Sequence, residues 1–246
     1  ELPSLIFLTI SAVVADCDSY TQIADFGEDR LEWFQSHGHF LEGRTPSHDI
    51  LGNLFRRMEP GKFQECFMRW TCQVCGSTDG HLVAIDGKTL RRSHDASLHK
   101  KAIHMISAWS SMNQVVLAQM KVDQKSNEIT AIPQLLALLD LKGAIVSIDA
   151  MGCQTDIAEK ILEHGSNYLL GLKGNQNGLL QEVEMLFVHN TPASTAQQWD
   201  KGHGRIESRT CDVIHQPALL KGLTHWKGLK SLVRIRSTRQ AASGGE

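Results

Sequence analysis

Two short apolar runs fix most of what this chain can become. "HLVAIDGKTLRR" (residues 81–92) and "AIVSIDAMGCQ" (residues 144–154) each carry small and branched residues up to an aspartate, Asp86 or Asp149, and then break at Gly87 or Ala150. A short apolar run between turn signals reads as a buried strand. "KAIHMISAWSS" and "QVVLAQMKVD", joined at Met112-Asn113, read as two further strands that form an antiparallel meander with the first. A helix is expected over "NEITAIPQLLALLDL", with Pro133 near its first turn, where a missing N–H costs least. The second aspartate-bearing strand is apolar almost throughout, as when both faces are covered. After it come a helix over "QTDIAEKILEHG", a fifth strand over "NYLLGLK", a helix over "NGLLQEVEMLFVHN" and the start of more strand at "HGRIESRTCDVIHQ". The remainder is weakly patterned. The order β-β-β-α-β-α-β-α predicts an α/β fold, a mixed sheet covered by helices. Sites in open α/β sheets form outside the carboxyl ends of strands, and Asp86 and Asp149 both stand there.

Residues 1 to about 75 carry helical spacing instead. The opening "LPSLIFLTISAVVA" has no basic flank before its apolar run and an acidic stretch after it, so it reads as a buried helix and not a leader. Ile23, Phe26, Leu31 and Phe34 recur around Gly27, Ser47 is a helix-capping candidate, and Pro60-Gly61 separates two helical pieces. "CGSTDG" (residues 75–80) is a linker. The chain of 246 residues is long enough for one sizeable core and a smaller unit. No run of about twenty apolar residues suggests a membrane span. The six cysteines are scattered, which favours a reducing cytoplasm. Net charge is −2, an average that argues mildly against nucleic acid. The distribution is uneven, however: the first sixty residues lean acidic, while Lys88, Arg91, Arg92, Lys100 and Lys101, and again the stretch from Lys201 to Arg239, are basic.

A pair of close carboxylates repel each other and call for a shared cation or proton. Without clustered Cys or His, hard oxygen donors suit Mg²⁺ or Mn²⁺. Two such ions serve phosphoryl transfer, which asks for a third carboxylate. Glu207, between Arg205 and Arg209, is the best candidate, with Asp123, Glu128 and Asp156 as weaker rivals; Glu207 could equally belong to a surface ion-pair cluster. Lys173, Asn175 and Gln176 in "LKGNQ" suit contacts to a nucleic-acid backbone or bases, or a helix-opening turn. Cys72 and Cys75 lack the partners of a zinc site, Cys153 reads as packing, and Trp70 and Trp109 read as core.

"AIDGKTLRRS", "KSNEITAIPQLLALLDLKGAIVSIDAMGCQTDIAEKI", "YLLGLKGNQ" and "HGRIESR" together resemble the ISAs1-type insertion-sequence transposases, the H-repeat-associated proteins. "FLTISAVVADCDSYTQIADFGEDRLEWF" and "TPSHDILGNLFRRMEP" resemble the helical region ahead of their catalytic domain. The resemblance covers nearly the whole chain. It implies a small all-helical N-terminal domain over residues 1–75 and an RNase H-like domain over residues 80–246, with a mixed sheet flanked by helices and a DDE-type site for Mg²⁺ or Mn²⁺. It implies an enzyme that binds the double-stranded ends of its element, cuts by water attack and joins the free 3′-hydroxyl to target DNA, as a dimer on DNA. The first two acids of that site correspond to Asp86 and Asp149, and Glu207 is the candidate third. Lys88, Arg91, Arg92, Lys173, Asn175, Gln176, Arg205 and Arg209 are the candidate DNA contacts. The implied location is the bacterial cytoplasm, at the nucleoid when DNA is bound, with no membrane.

In related transposases the third acid lies in a later helical motif, and "SLVRIRSTRQAASGGE" ends without one. The expectation is a catalytic domain incomplete at its C-terminal end, in a truncated copy whose turnover is in question. The alternatives are a DNA-binding or regulatory remnant without turnover, another RNase H-like Mg²⁺-dependent nuclease, and an α/β protein whose acids are structural.

Overall fold

The computed structural model describes residues 1–90, 93, 102–122, 128–202, 205–215 and 223–241. It divides into two compact units, residues 1–66 and 67–246. The first is helical: α1 (Leu2–Val14), α2 (Tyr20–Asp29), α3 (Leu31–Ser36), α4 (His48–Arg57) and the start of α5 (Pro60–Val74). Ser4, Leu8 and Ala12 recur every fourth residue on α1 and are buried; Leu8 and Ala12 share a small core with Ile23, Phe34 and Leu51. Only that stripe is buried. Ile10, Val13 and Val14 are exposed, Val14 by 83%, because a unit this small offers α1 a single core face. Ser47 caps α4 as its position predicts, its hydroxyl accepting the Ile50 N–H. Pro60 opens α5 instead of merely separating it from α4, since its missing N–H has no partner to lose at a first helical position.

The second unit holds a five-stranded sheet. Its strands are β1 (Leu82–Thr89), β2 (His104–Ser110), β3 (Val115–Val122), β4 (Ile145–Ile148) and β5 (Asn167–Leu170), in the order β3-β2-β1-β4-β5. The β1–β2 and β2–β3 pairs are antiparallel, and the β1–β4 and β4–β5 pairs are parallel. Helix α6 (Glu128–Leu136) leads into β4, and α7 (Thr155–Glu163) leads from β4 to β5. Both crossovers step the same way along the sheet, and right-handed crossovers that do so lay their helices on one face. There Val83, Ile85, Ile106, Ala108, Val146 and Ile148 meet Ile132, Leu135 and Leu136 of α6 and Ile157 and Ile161 of α7. Burying each large aliphatic side chain contributes about 1.5–3 kcal/mol.

Three expectations change here. Pro133 lies inside α6 and not in its first turn: the helix opens at Glu128, and the proline ring removes one N–H from its interior. β4 is covered on one face only; Ile145 beside Leu82, Trp109 and Leu169 is exposed on the other, by 36–50% across the four. Trp70 and Trp109 are likewise half-exposed and not core, Trp109 because it sits on that open face.

A three-stranded antiparallel sheet follows: β6 (Ser194–Gly202), β7 (Arg205–His215) and β8 (Ser231–Ala241), ordered β6-β7-β8. Ile214 and Leu232 of this sheet pack against Val183, Leu186 and Phe187 of α8 (Asn177–His189), with Leu223, Trp226 and Leu229. No helix among the described residues is long and apolar enough to cross a membrane.

Candidate functional site

β1 and β4 run parallel and in register from Leu82↔Ile145 to Ile85↔Ile148. Asp86 and Asp149 are the next residue on each strand, so they leave neighbouring strands side by side, where strands lie about 4.8 Å apart. Ile85 and Ile148 point into the core under α6 and α7. Alternation therefore turns both aspartates to the open face, and both are exposed. Asp149 Oδ1 accepts the Met151 N–H at 3.0 Å, capping a short 3-10 turn over Ala150–Gly152. No cation pairs with either carboxylate among the described residues. Lys88, two residues past Asp86, is exposed on the same side of β1.

The end of β5 closes around Asp149. Gly171 donates its N–H to Ile148 O, and a Cβ on Gly171 would stand 3.4 Å from Ala150 N and 3.6 Å from Asp149 Cα. A Cβ there would make ordinary contact, so the end of β5 packs directly on the Asp149 backbone. Asn175 Nδ2 donates to Ala150 O at 2.8 Å, and the Gln176 side-chain amide donates to Cys153 O. Both side chains brace the loop that carries Asp149. Lys173 precedes them and is exposed. Cys153 is buried, and burial pushes its thiol up to about 11. A thiol so held is packing and not a nucleophile.

Glu207 is placed elsewhere. It lies on β7, and its carboxylate takes Arg209 Nη2 at 3.0 Å, Arg239 Nε at 3.0 Å and Arg205 Nε at 3.8 Å. All three arginines are about half exposed or more, against 19% for the Glu207 side chain. The opposite face of the same strands repeats the device with Asp212, which is buried and paired with Arg234 and Arg236. The Arg234 hydrogen bond, then that of Thr195 and the charge of Arg236, hold the Asp212 carboxyl below the usual range. Of the weaker rivals, Glu128 is buried against His104 on the α6 side of β1, and Asp156 sits in the first turn of α7. Arg91, Arg92 and Asp123 lie outside the described residues.

Sequence reasoning missed Gly171, Arg239 and the pairing of Glu128 with His104. "LLGLK" carried a signal for the first, a glycine where an apolar strand run ends. Nothing local marks the other two, whose partners are distant in the chain.

Mg²⁺ is commonly held through one or two carboxylates, with water and substrate phosphates completing its shell. Asp86 and Asp149, exposed, adjacent and without a counter-charge among the described residues, fit that donor set. They do not form a triad: among the described residues no group of three or more His, Cys, Asp and Glu is placed to hold a metal.

An all-helical region followed by a mixed sheet in the order β3-β2-β1-β4-β5 with flanking helices is an RNase H-like fold of the DDE transposase class. Residues 1–71 match the family model described as DDE_Tnp_1-associated, and residues 70–233 match the Transposase DDE domain. YbfL of Escherichia coli K12 is 44% identical over 239 residues, which cover 94% of this chain and 62% of that protein. The H repeat-associated candidate transposase YhhI of the same organism gives the same identity and coverage. A protein from the dhlA 3′ region of Xanthobacter autotrophicus is 38% identical over 98% of this chain and 82% of its own length. This chain therefore belongs to the ISAs1-type, H repeat-associated family of DDE transposases. It spans 62% of the length of the two E. coli relatives. Among solved structures, a piggyBac transposase synaptic complex with hairpin DNA aligns with a TM-score of 0.35 at 11% identity, over 74% of this chain and 44% of that one. That likeness is too slight to bear on function.

Proposed function

We propose that this chain acts on double-stranded DNA as a transposase, with Asp86 and Asp149 holding Mg²⁺ or Mn²⁺ for strand cleavage and transfer at the ends of an insertion sequence. One observation carries the reading: two exposed aspartates leave neighbouring parallel strands at the same register position, with no cation against them among the described residues. When bound, the ion supplies Lewis-acid stabilisation of a phosphate and an activated hydroxyl. The protein supplies placement. The Met151 N–H fixes one oxygen of Asp149, and Asn175 and Gln176 brace its loop. Lys88 and Lys173 offer cations to phosphate near the carboxylates. Arg205, Arg209 and Arg239 offer three more on the second sheet, where Glu207 holds them in one cluster and leaves a net positive charge. In this reading Glu207 organises arginines, and water and DNA phosphate complete the metal shell. Two copies of the chain, one on each end of the element, bring the ends together.

A second reading is DNA binding without turnover. It is favoured by the lack of a third acid beside Asp86 and Asp149 among the described residues. Purified chain incubated with plasmid DNA and Mg²⁺ or Mn²⁺ decides between them. Metal-dependent nicking that disappears in Asp86→Asn supports the transposase or a related nuclease, and joining of a free 3′ end selects the transposase. Salt-sensitive DNA binding without nicking selects the remnant. Neither metal nor DNA binding would overturn both.

A further inference from the structure

One buried His–Glu pair lies outside the carboxylate site. Glu128 opens α6 and His104 opens β2, and they are 7% and 4% exposed. His104 Nε2 meets Glu128 Oε1 in a short contact. The other ring nitrogen, Nδ1, lies 3.0 Å from Thr89 Oγ1 on β1. The same Glu128 carboxylate covers Gly87: a Cβ there would stand 2.4 Å from Oε1 and 2.6 Å from Cδ. The pair thus touches β1 twice, at Gly87 and at Thr89, just past Asp86.

Stability is a poor explanation for it. A buried ion pair is often no more stabilising than apolar residues of the same volume. Its place in the sheet offers a better one. β1 is paired to β4 only as far as Ile85↔Ile148, and from Asp86 to Thr89 β2 is its one strand neighbour among the described residues. The strand loses its support on the β4 side where Asp86 must keep its distance from Asp149. Glu128 and His104 press on that stretch from the α6 side.

We propose that Glu128 and His104 are positioning residues for Asp86, a buried strut that sets the height of the Asp86-Gly87-Lys88 backbone so that Asp86 and Asp149 share one divalent ion. Gly87 follows Asp86 because the strut occupies the space of a side chain there. The inference rests on the metal-binding reading of the two aspartates, and its test separates the two claims.

The whole chain is titrated with Mn²⁺ and free ion is read by electron paramagnetic resonance, with circular dichroism and Tm recorded for each variant. Asp86→Asn should abolish binding at the site; unchanged binding there would sink the metal reading itself. Glu128→Ala removes the strut and leaves both aspartates in place. It should weaken Mn²⁺ about tenfold, the lower end of what losing the outer support of a metal site costs. Gly87→Ala should weaken it further, and adding Glu128→Asp, which withdraws the carboxylate by one methylene, should restore part of the loss. A purely structural pair would lower Tm and leave Mn²⁺ affinity unchanged. Folded Glu128→Ala with wild-type affinity, beside an Asp86→Asn that binds nothing, would overturn the strut. If Glu128→Ala does not fold, Thr89→Val decides: it removes only the hydroxyl on His104, and weakened Mn²⁺ binding supports the strut while wild-type affinity refutes it.

Discussion

In the five-stranded sheet, Asp86 and Asp149 stand exposed and adjacent, with no cation beside them among the described residues. In the three-stranded sheet, Glu207 and Asp212 are each held by two or three arginines. All four are acids on or just past a strand, and three of them have small or polar neighbours in sequence. The difference lies in what surrounds the charge. Carboxylates left together without compensation raise the free energy of the empty protein and lower it when a cation arrives. Carboxylates already neutralised by guanidinium groups gain little from a metal, which would have to displace those groups.

The strongest test of this contrast is Asp149→Asn measured with and without Mg²⁺. In wild type, ion at about a hundred times its Kd should add about 2.7 kcal/mol of stability, a Tm rise on the order of 5–10 °C for a chain of this length. Asp149→Asn should lose that rise. In metal-free buffer it should be the more stable protein, by about 1 kcal/mol or less, because one of two repelling charges is gone. A differential-scanning measurement that shows no such reversal would place Asp149 with the neutralised acids.

Asp212→Asn should behave in the opposite manner, losing Tm by several degrees whether or not Mg²⁺ is present. Because Arg234 and its neighbours hold the folded Asp212 carboxyl below its unfolded value, its contribution is present above the unfolded pKa of about 3.9. It is lost as pH falls through the folded one. The Tm difference between wild type and Asp212→Asn should therefore shrink in strong acid.

Glu207→Gln should change stability by about 1 kcal/mol or less, because solvent screens its half-exposed arginine partners. Its effect should appear on DNA. Freed of one negative charge, the three arginines should bind a duplex several-fold tighter, with log K against log salt steeper by up to about 0.9. Weaker binding or lost metal affinity would return Glu207 to the metal site.

The smallest effect concerns Cys153. Its raised folded pKa, about 11 against an ordinary 9.0, means that stability from the neutral buried thiol is complete below pH 9. It declines as pH rises toward 11. A cysteine-to-alanine control at that position should flatten the alkaline limb of a Tm–pH curve, and alkylation of the native thiol at pH 8 should be slow.

Much of the first sheet was legible because its strands are apolar runs whose period matches what they bury. β1 to β5 and the meander turn at Met112-Asn113 follow from pattern, and Asp86 and Asp149 follow from where those runs stop. The second sheet was half hidden. β6 is "STAQQWDKG" and β8 is "SLVRIRSTRQA", polar strands that cover little apolar surface, so no hydrophobic alternation announces them. The surroundings of Glu207 show the same limit. A glutamate between arginines reads as an ion-pair cluster or as a ligand, and only its contact with Arg239, thirty-two positions away in sequence, shows how its charge is met. Asn175 and Gln176 read as DNA contacts or as a helix-opening turn, and their hydrogen bonds to Ala150 O and Cys153 O were not legible, because amides declare their chemistry but not their acceptors. The strut of Glu128 and His104 joins residues 24 apart through a sheet and a helix, and no local pattern contains it.

The matched register of β1 and β4 has a genetic consequence. Each strand counts from its first paired residue to its aspartate in the same number of steps, and alternation assigns a face to every step. A single in-frame codon lost or gained before either aspartate would turn that carboxylate toward the α6 side and leave its twin facing solvent alone. No point substitution on the other strand restores the pair, since its acid is already in place. A change of length inside one of these paired strands therefore costs the site more than an exchange of one apolar residue for another, unless a β-bulge absorbs the extra residue.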